Sequence, residues 1–126
     1  MANSVTTDKG KQKMAKARAG DIAIPVINKM AFGDGAVDTS NNPIAPLETD
    51  TTLKNELFRK NIDSHSFPIA TTCRYSCRLS KDDLANKNIN EVALVDADGD
   101  IIAIKTFKNK SKDSDMEMVF EIDDQF

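Results

Sequence analysis

The clearest periodic pattern in the chain is an alternation of apolar and polar side chains over residues 69–79. Odd positions carry apolar or half-apolar groups, and even positions are mostly polar. A period of two places successive side chains on opposite faces, so the segment is predicted to be a half-buried β-strand. The alternation returns near the end of the chain and predicts a last strand, with Met116, Met118, Phe120 and Ile122 on one face.

A β-hairpin is predicted between these two strands. Glu91–Ala97 and Asp100–Phe107 are rich in β-forming residues and flank Asp98-Gly99, a dipeptide that favours a tight primed turn. The polar, lysine-rich residues 108–114 are predicted to form a loop after the hairpin.

The region from residue 22 to residue 47 predicts a strand, a turn and a loop. The apolar stretch Ile22–Phe32 is interrupted by Pro25, which favours an edge strand or the start of a strand. Gly33-Asp34-Gly35 then predicts a turn in which glycines supply positive φ. Residues 36–47, rich in Ser, Asn and Pro, are predicted to form a long surface loop.

Two helices are also predicted. The first spans Thr7–Ala19, with Thr6 or Thr7 as its N-cap and Gly20 as its stop. The second spans Thr51–Arg59, with Asp50 as its cap. Its core-facing positions would be Leu53, Leu57 and Phe58, and Glu56 would pair with Arg59 at i, i+3.

These elements predict an α+β fold, a mostly antiparallel sheet of five or six strands with two short helices. A chain of 126 residues has the size of a single domain covering 1–126, within which residues 1–5 are expected to be disordered. Apolar residues are 40% of the sequence and charged residues 29%, as in soluble globular domains. No apolar run approaches the ~20 residues that span a bilayer, and the polar start does not resemble a secretory signal.

Charge is distributed unevenly along the sequence. Residues 1–30 carry six cationic and two acidic side chains, whereas residues 111–126 carry one cationic and six acidic side chains. This asymmetry favours either head-to-tail association of copies or two solvated faces at opposite ends of the sequence. The net charge of −3 argues against a nucleic-acid partner.

The acidic turn Asp96, Asp98 and Asp100 resembles the opening of a calcium-binding loop. That loop also needs a glycine at its sixth position and a bidentate glutamate at its twelfth. Those positions hold Ile101 and Phe107 here. The sequence therefore predicts a polar hairpin turn in place of a calcium site.

The cysteines and the single histidine are the remaining candidates for catalysis or metal binding. Cys73 and Cys77 would lie ~13 Å apart on one strand face, too far for a disulfide. With His65 they supply only three soft metal ligands. Asp63, Ser64 and His65 include the residue types of a catalytic triad, but adjacent residues point in divergent directions. We expect no catalytic, cofactor-binding or metal-binding residues, no cofactor and no enzymatic activity.

Four motifs in order resemble the N-terminal domain of phage tail-collar fibre proteins, a family of contractile tails and related bacteriocins. The first is a lysine- and alanine-rich helix, the second a Gly-Asp-Gly turn, and the third has the form Leu-x-Asn-Glu-x-x-Arg. The fourth is a glutamate before an apolar strand and an Asp-Gly hairpin. In this sequence the motifs are Gly10–Ala19, Ala31–Gly35, Leu53–Arg59 and Glu91–Ala103.

The resemblance implies a structural virion component that joins a receptor-binding fibre to the baseplate. It would contact other tail, baseplate or fibre proteins or further copies of itself. We expect no nucleic-acid or membrane partner. It would be made in the bacterial cytoplasm and assembled into the virion tail. Family members usually continue into a fibre shaft, whereas this sequence ends at Phe126, so we expect a stand-alone adaptor or the N-terminal piece of a split fibre.

Two other functions remain as alternatives. A binding module would use residues 36–47 and the Asp98-Gly99 tip to contact a glycan or a partner protein. A small hydrolase or metal enzyme would need His65 together with Cys73, Cys77 or an aspartate in one pocket.

Overall fold

The computed structural model describes residues 3–126, which form eight strands and one helix. The predicted α+β class is wrong, because 51% of the chain is strand and 9% is helical, which makes the protein mainly β. The elements in chain order are β1 Asn3–Thr6, α1 Asp8–Arg18, β2 Ile27–Gly33, β3 Glu56–Asn61, β4 Ser64–Ile69, β5 Thr72–Leu79, β6 Lys87–Asp96, β7 Ile101–Lys112 and β8 Met118–Gln125.

The strands form two antiparallel sheets. The larger has the order β1-β7-β6-β2-β3, and the smaller has the order β4-β5-β8. The predicted hairpin is confirmed as β6–β7, but it is longer than expected, since pairing runs as far as Lys87 opposite Lys112. Residues 108–112 are therefore strand and not loop. Lys108 and Lys110 are exposed and Lys112 is buried, and cross-strand pairing decides the backbone conformation of this segment.

The main core lies between the two sheets. Met30 and Phe32 of β2 share it with Phe120 and Ile122 of β8. The rings of Phe32 and Phe120 meet edge to face with centroids 5.4 Å apart. The predicted alternation of the last strand is thus confirmed at Phe120 and Ile122, both of which are buried.

A second apolar cluster covers the opposite face of the larger sheet. Ala31 and Ala93 alternate with main-core residues along β2 and β6, and they pack with Leu53 from the segment before β3. The helix α1 also lies against this sheet, at the start of β7. A Cβ atom added at Gly10 would lie only 3.0 Å from Ile102 Cγ2, so glycine permits this close approach.

The second predicted helix, Thr51–Arg59, does not form. Residues 51–55 are irregular, and β3 begins at Glu56. Leu53 is buried in the second cluster, whereas Phe58 packs against the main core. Because these two side chains pack on opposite faces of one sheet, they could not both reach their positions from one face of a helix.

Several strand predictions also need correction. The alternating segment 69–79 is divided, because Ile69 ends β4 and pairs with Thr72 of β5 across a turn. The expected disorder of residues 1–5 is wrong for residues 3–5, which lie in β1, and residues 1–2 lie outside the described residues. The strand after Pro25 is β2, an interior strand whose first residue is Ile27, so the proline precedes the strand.

Candidate functional site

A buried carboxylate on β6 organises one end of the larger sheet. The side chain of Glu91 is 1% exposed. Its Oε2 accepts hydrogen bonds from the backbone N–H groups of Gly35 and Asn55, both at 2.9 Å, and its Oε1 accepts from Lys54 at 2.8 Å. Hydrogen bonds to an ionised acceptor are stronger than neutral ones, so one side chain fixes two loops. We call this arrangement the Glu91 cradle.

Two glycines allow the loops to approach Glu91. A Cβ at Gly33 would lie 2.4 Å from Asn55 O and 2.7 Å from Glu91 Oε2, and one at Gly35 would lie 2.8 Å from Lys54 Cβ. Neither glycine has a positive φ; in the described chain the glycines that do are Gly20 and Gly99. The predicted reason for the Gly-Asp-Gly motif is therefore wrong. Its glycines provide space for a neighbouring backbone, not a left-handed turn.

Asn90 fixes the same loop from the adjacent position on β6. Its Nδ2 donates to Asp34 O and to Asn109 Oδ1, both at 2.9 Å, and its Oδ1 accepts from the N–H of Ala36 at 2.8 Å. The register of β6 against β7 shifts between Ile89 and Glu91. Adjacent polar side chains at this irregularity are therefore both buried and both hydrogen-bonded.

A second polar centre lies at the turn of the β6–β7 hairpin. The Lys13 ammonium is 2.6 Å from Asp96 Oδ2, 2.7 Å from Asp100 Oδ2 and 3.1 Å from Asp98 Oδ2. Burial lowers the pKa of Lys13, but hydrogen bonds to the three carboxylates outweigh it, so the pKa is raised above its ordinary value. The same contact lowers the pKa of Asp100. We call this arrangement the Lys13 clasp.

The clasp explains why the turn resembles a calcium loop. Oxygen atoms of the three aspartates lie within 4.8 Å of one another, which is close enough to hold a cation. The cation among them is the ammonium of Lys13. The predicted hairpin turn is confirmed, whereas sequence reasoning missed Lys13 because it is 83 residues from Asp96.

Thr7 joins the helix to the same hairpin. Its hydroxyl accepts from the N–H of Gly10 at 3.1 Å, as an N-cap does, and donates to Ile101 O at 2.8 Å. Its own N–H donates to Ile102 O at 2.8 Å. The predicted N-cap is confirmed, and Thr7 also anchors the helix to β7.

The cradle and the clasp bring together the four motifs noted in the sequence. The sequence matches the family described as phage tail-collar fibre protein, N-terminal, over residues 1–121. The chain belongs to this family. Among curated proteins, none matches the sequence.

Membership gives this tail-collar fibre domain a structural role in a phage tail. The family is one of structural tail fibre domains and not a known enzyme family, and it makes the chain a component of the virion tail. Within residues 3–126, no helix is long and apolar enough to cross a membrane.

The other candidate residues of the domain lie apart from both polar centres. His65 is exposed on β4, with its ring centroid 6.1 Å from that of Tyr75. Cys73 and Cys77 are buried free thiols, and burial raises the pKa of Cys77 to about 11. In the described part of the chain, the aspartates of the clasp are the one group of three His, Cys, Asp or Glu side chains placed closely enough for a metal ion.

The predicted pair of Glu56 and Arg59 forms, but on β3 and not on a helix. Arg59 Nε and Nη2 donate to the two carboxylate oxygens of Glu56 at 3.0 and 2.9 Å. Both side chains are partly exposed, so the pair contributes little to stability.

The acidic end of the domain folds back into the smaller sheet. Asp123 accepts two hydrogen bonds from Arg74, at 2.8 and 3.1 Å, and Glu117 lies 3.5 Å from Arg78. Asp124 is buried, and burial raises its pKa. Asp123 and Glu117 are therefore paired with arginines of β5, whereas Glu121, which accepts a hydrogen bond from Ser76, remains exposed on β8.

Exposed apolar side chains lie on β4 and beside the turn that joins β4 to β5. Every residue of β4 is exposed, including Phe67 at 64% and Ile69 at 62%. Phe126, 69% exposed, donates its N–H to Thr71 O in the turn that follows β4. We call these three side chains the β4 patch: Phe67, Ile69 and Phe126.

Proposed function

We propose that this domain attaches a tail fibre to neighbouring tail or baseplate proteins through protein–protein contacts, with the β4 patch as the contact surface. The observation that carries the proposal is an edge strand whose apolar side chains are exposed. Clustered apolar side chains at a surface are typical of interaction sites.

The backbone of β4 indicates how a partner would bind. Pro68 has no N–H, and a proline within an edge strand hinders the addition of another strand. The contact would therefore be made by the side chains of Phe67 and Ile69, which a partner would cover with an apolar surface of its own.

The two polar centres support a mechanical role for the rest of the domain. Glu91 and Lys13 direct their charges to groups of the same chain, and together they fix the loops and the helix to the β6–β7 hairpin. A domain that transmits load between a fibre and a tail benefits from such internal bracing. This use of the polar groups favours attachment over catalysis.

Particles carrying Phe67→Ser and Ile69→Ser test the proposal. We expect them to lose most of their fibres, measured by mass spectrometry of purified particles and by electron microscopy. Leu47→Ser is the matched control, because Leu47 is also an exposed apolar residue, at 60%, but lies outside the patch. Full fibre occupancy in the double variant would refute the proposed contact surface. A loss of fibres supports the proposal when the melting temperature of the isolated domain is unchanged.

A further inference from the structure

A cleft opens along one side of the two sheets, between β1 and β8. Each of these strands is the last in its sheet, and within residues 3–126 neither pairs with a second strand. The cleft has a volume of about 480 Å³. The residues that line it include Ser4 and Thr6 of β1, Lys105 of β7, and Glu121 and Asp123 of β8. We call it the seam cleft, and the unpaired side of β8 the β8 edge.

The β8 edge carries backbone groups that an added strand would satisfy. Lys105 Nζ donates to Glu121 O at 3.3 Å, so this carbonyl points away from β5 and into the seam cleft. β8 pairs with β5 along its whole length without a shift in register. Because backbone groups alternate in direction along an antiparallel strand, those of Val119 and Asp123 point the same way as those of Glu121. β8 also contains no proline, whereas Pro68 interrupts β4.

A strand added at the β8 edge would lie over β1. Ser4 pairs with Lys105 in the β1–β7 ladder, so their side chains share the face that points towards the smaller sheet. Lys105 reaches β8 from this face, whereas Ser4 remains exposed. The smaller sheet therefore covers β7 but leaves the inner face of β1 open, which is the space that one further strand needs.

Two charges at the β8 edge lack a counter-ion within residues 3–126. The Glu121 carboxylate, on the outer face of the smaller sheet, accepts from the hydroxyl of Ser76 at 3.1 Å. The Lys105 ammonium, on the inner face, has the Glu121 carbonyl as its partner. Neither forms an ion pair in this part of the chain, whereas Asp123 pairs with Arg74. The edge thus presents a negative charge on its outer side and a positive charge on its inner side.

We propose that the β8 edge binds an extended segment of a partner protein as a fourth strand of the smaller sheet. The segment carries basic side chains that face outward beside Glu121 and an acidic side chain that faces inward towards Lys105, in the period-two pattern of a strand. A second β8 does not fit, because edge-to-edge pairing would place Glu121 and Asp123 of two copies together. The site is separate from the β4 patch, since β4 lies at the other edge of this sheet.

A peptide of alternating charge is the probe. Its sequence is Thr-Thr-Lys-Glu-Lys-Thr-Thr, so that both lysines face outward and the glutamate faces inward when it pairs with β8. We expect it to shift the NMR signals of the Val119, Glu121 and Asp123 amides, and fluorescence anisotropy gives the Kd. A control peptide with Glu-Lys-Glu at its centre should bind about fivefold or more weakly, because opposite-charge pairs become like-charge pairs.

Backbone methylation separates strand addition from charge attraction alone. The lysine N–H groups of the paired peptide would donate to β8, whereas the glutamate N–H would point away from it. Methylating both lysine nitrogens should therefore abolish binding, and methylating the glutamate nitrogen should be tolerated. Equal binding of the two methylated peptides would overturn the proposal, as would the absence of shifts at the β8 amides with millimolar peptide.

A substitution in the protein tests the role of Glu121. Glu121→Lys should weaken binding of the Lys-Glu-Lys peptide about fivefold or more, whereas Asp82→Lys makes the same change of charge at an exposed residue outside the seam cleft and should not. Unchanged binding to Glu121→Lys would overturn the proposed recognition. The variant with Phe67→Ser and Ile69→Ser should bind the peptide as the wild type does. Failure of this inference would therefore leave attachment through the β4 patch standing, since fibre occupancy tests that role separately.

Discussion

Replacing Glu91 by glutamine tests whether one buried carboxylate supports two loops. The substitution keeps the size of the side chain but exchanges one acceptor oxygen for an NH2 group. The remaining oxygen can face Gly35 and Asn55, in which case the NH2 group meets the N–H of Lys54, donor against donor. Three charge-assisted hydrogen bonds thus become two neutral ones and one repulsive contact.

The expected loss follows from these contacts. A hydrogen bond to a charged group contributes about 1.5–3 kcal/mol, and a buried donor left without a partner costs about 1–3 kcal/mol. We expect Glu91→Gln to lower the free energy of unfolding by roughly 2–4 kcal/mol, out of a total of about 5–15 kcal/mol for a typical domain. For a domain of this size that corresponds to a fall in melting temperature of roughly 10 °C.

Chemical denaturation measures the loss, and hydrogen exchange locates it. The amides of Gly35, Lys54 and Asn55 should lose protection in Glu91→Gln before the rest of the larger sheet does. Glu117→Gln is the control, since that carboxylate is exposed and 3.5 Å from its partner. If Glu91→Gln is as mild as Glu117→Gln, the cradle does not brace the loops and this account of the motif is wrong.

Three further predictions concern the clasp, the glycine motif and the smaller sheet. Lys13→Met should lower the free energy of unfolding at neutral pH. Because Lys13 lowers the pKa of Asp100, the difference in free energy of unfolding between the variant and the wild type should narrow as pH falls below about 4. Urea denaturation at a series of pH values measures this difference. Gly33→Ala should lower the free energy of unfolding by several kcal/mol, measured by thermal melting, since its Cβ would lie 2.4 Å from a backbone oxygen. Gly20→Ala is the control, because its Cβ would meet no atom and the variant should lose only the strain energy of its positive φ. Asp124→Asn should stabilise the domain at neutral pH, because burial raises the pKa of Asp124 and penalises its charged form. The gain in free energy of unfolding should fade as pH falls towards about 4. If denaturation gives the same gain at every pH, the burial argument is contradicted.

Some features of the fold could be predicted because their causes lie within a few residues. The helix α1 begins after the N-cap Thr7 and stops before Gly20, as its sequence indicates. The β6–β7 hairpin turns at Asp98-Gly99, where Gly99 has a φ of 87°. Capping and tight turns depend on local backbone geometry, which short sequence patterns describe well.

The segment before β3 shows where such patterns fail. Its apolar spacing suits a helix, but the N–H groups of Lys54 and Asn55 donate to Glu91, 36 or 37 residues away. The N–H groups that a helix would use for its own hydrogen bonds therefore donate to a distant strand. In addition, Leu53 and Phe58 pack on opposite faces of the larger sheet.

The amino-acid sequence by itself determined the helix, the hairpin turn and membership of the tail-collar fibre family, because each is written in a linear order of residues. Only the tertiary structure decided that Lys13 would fill the aspartate turn, that Glu91 would hold two loops and that Gly33 would make room for another backbone. These roles depend on which distant segments become neighbours. Lys13 and Asp96 are 83 residues apart, and contact over such a separation produces no periodic pattern in the sequence.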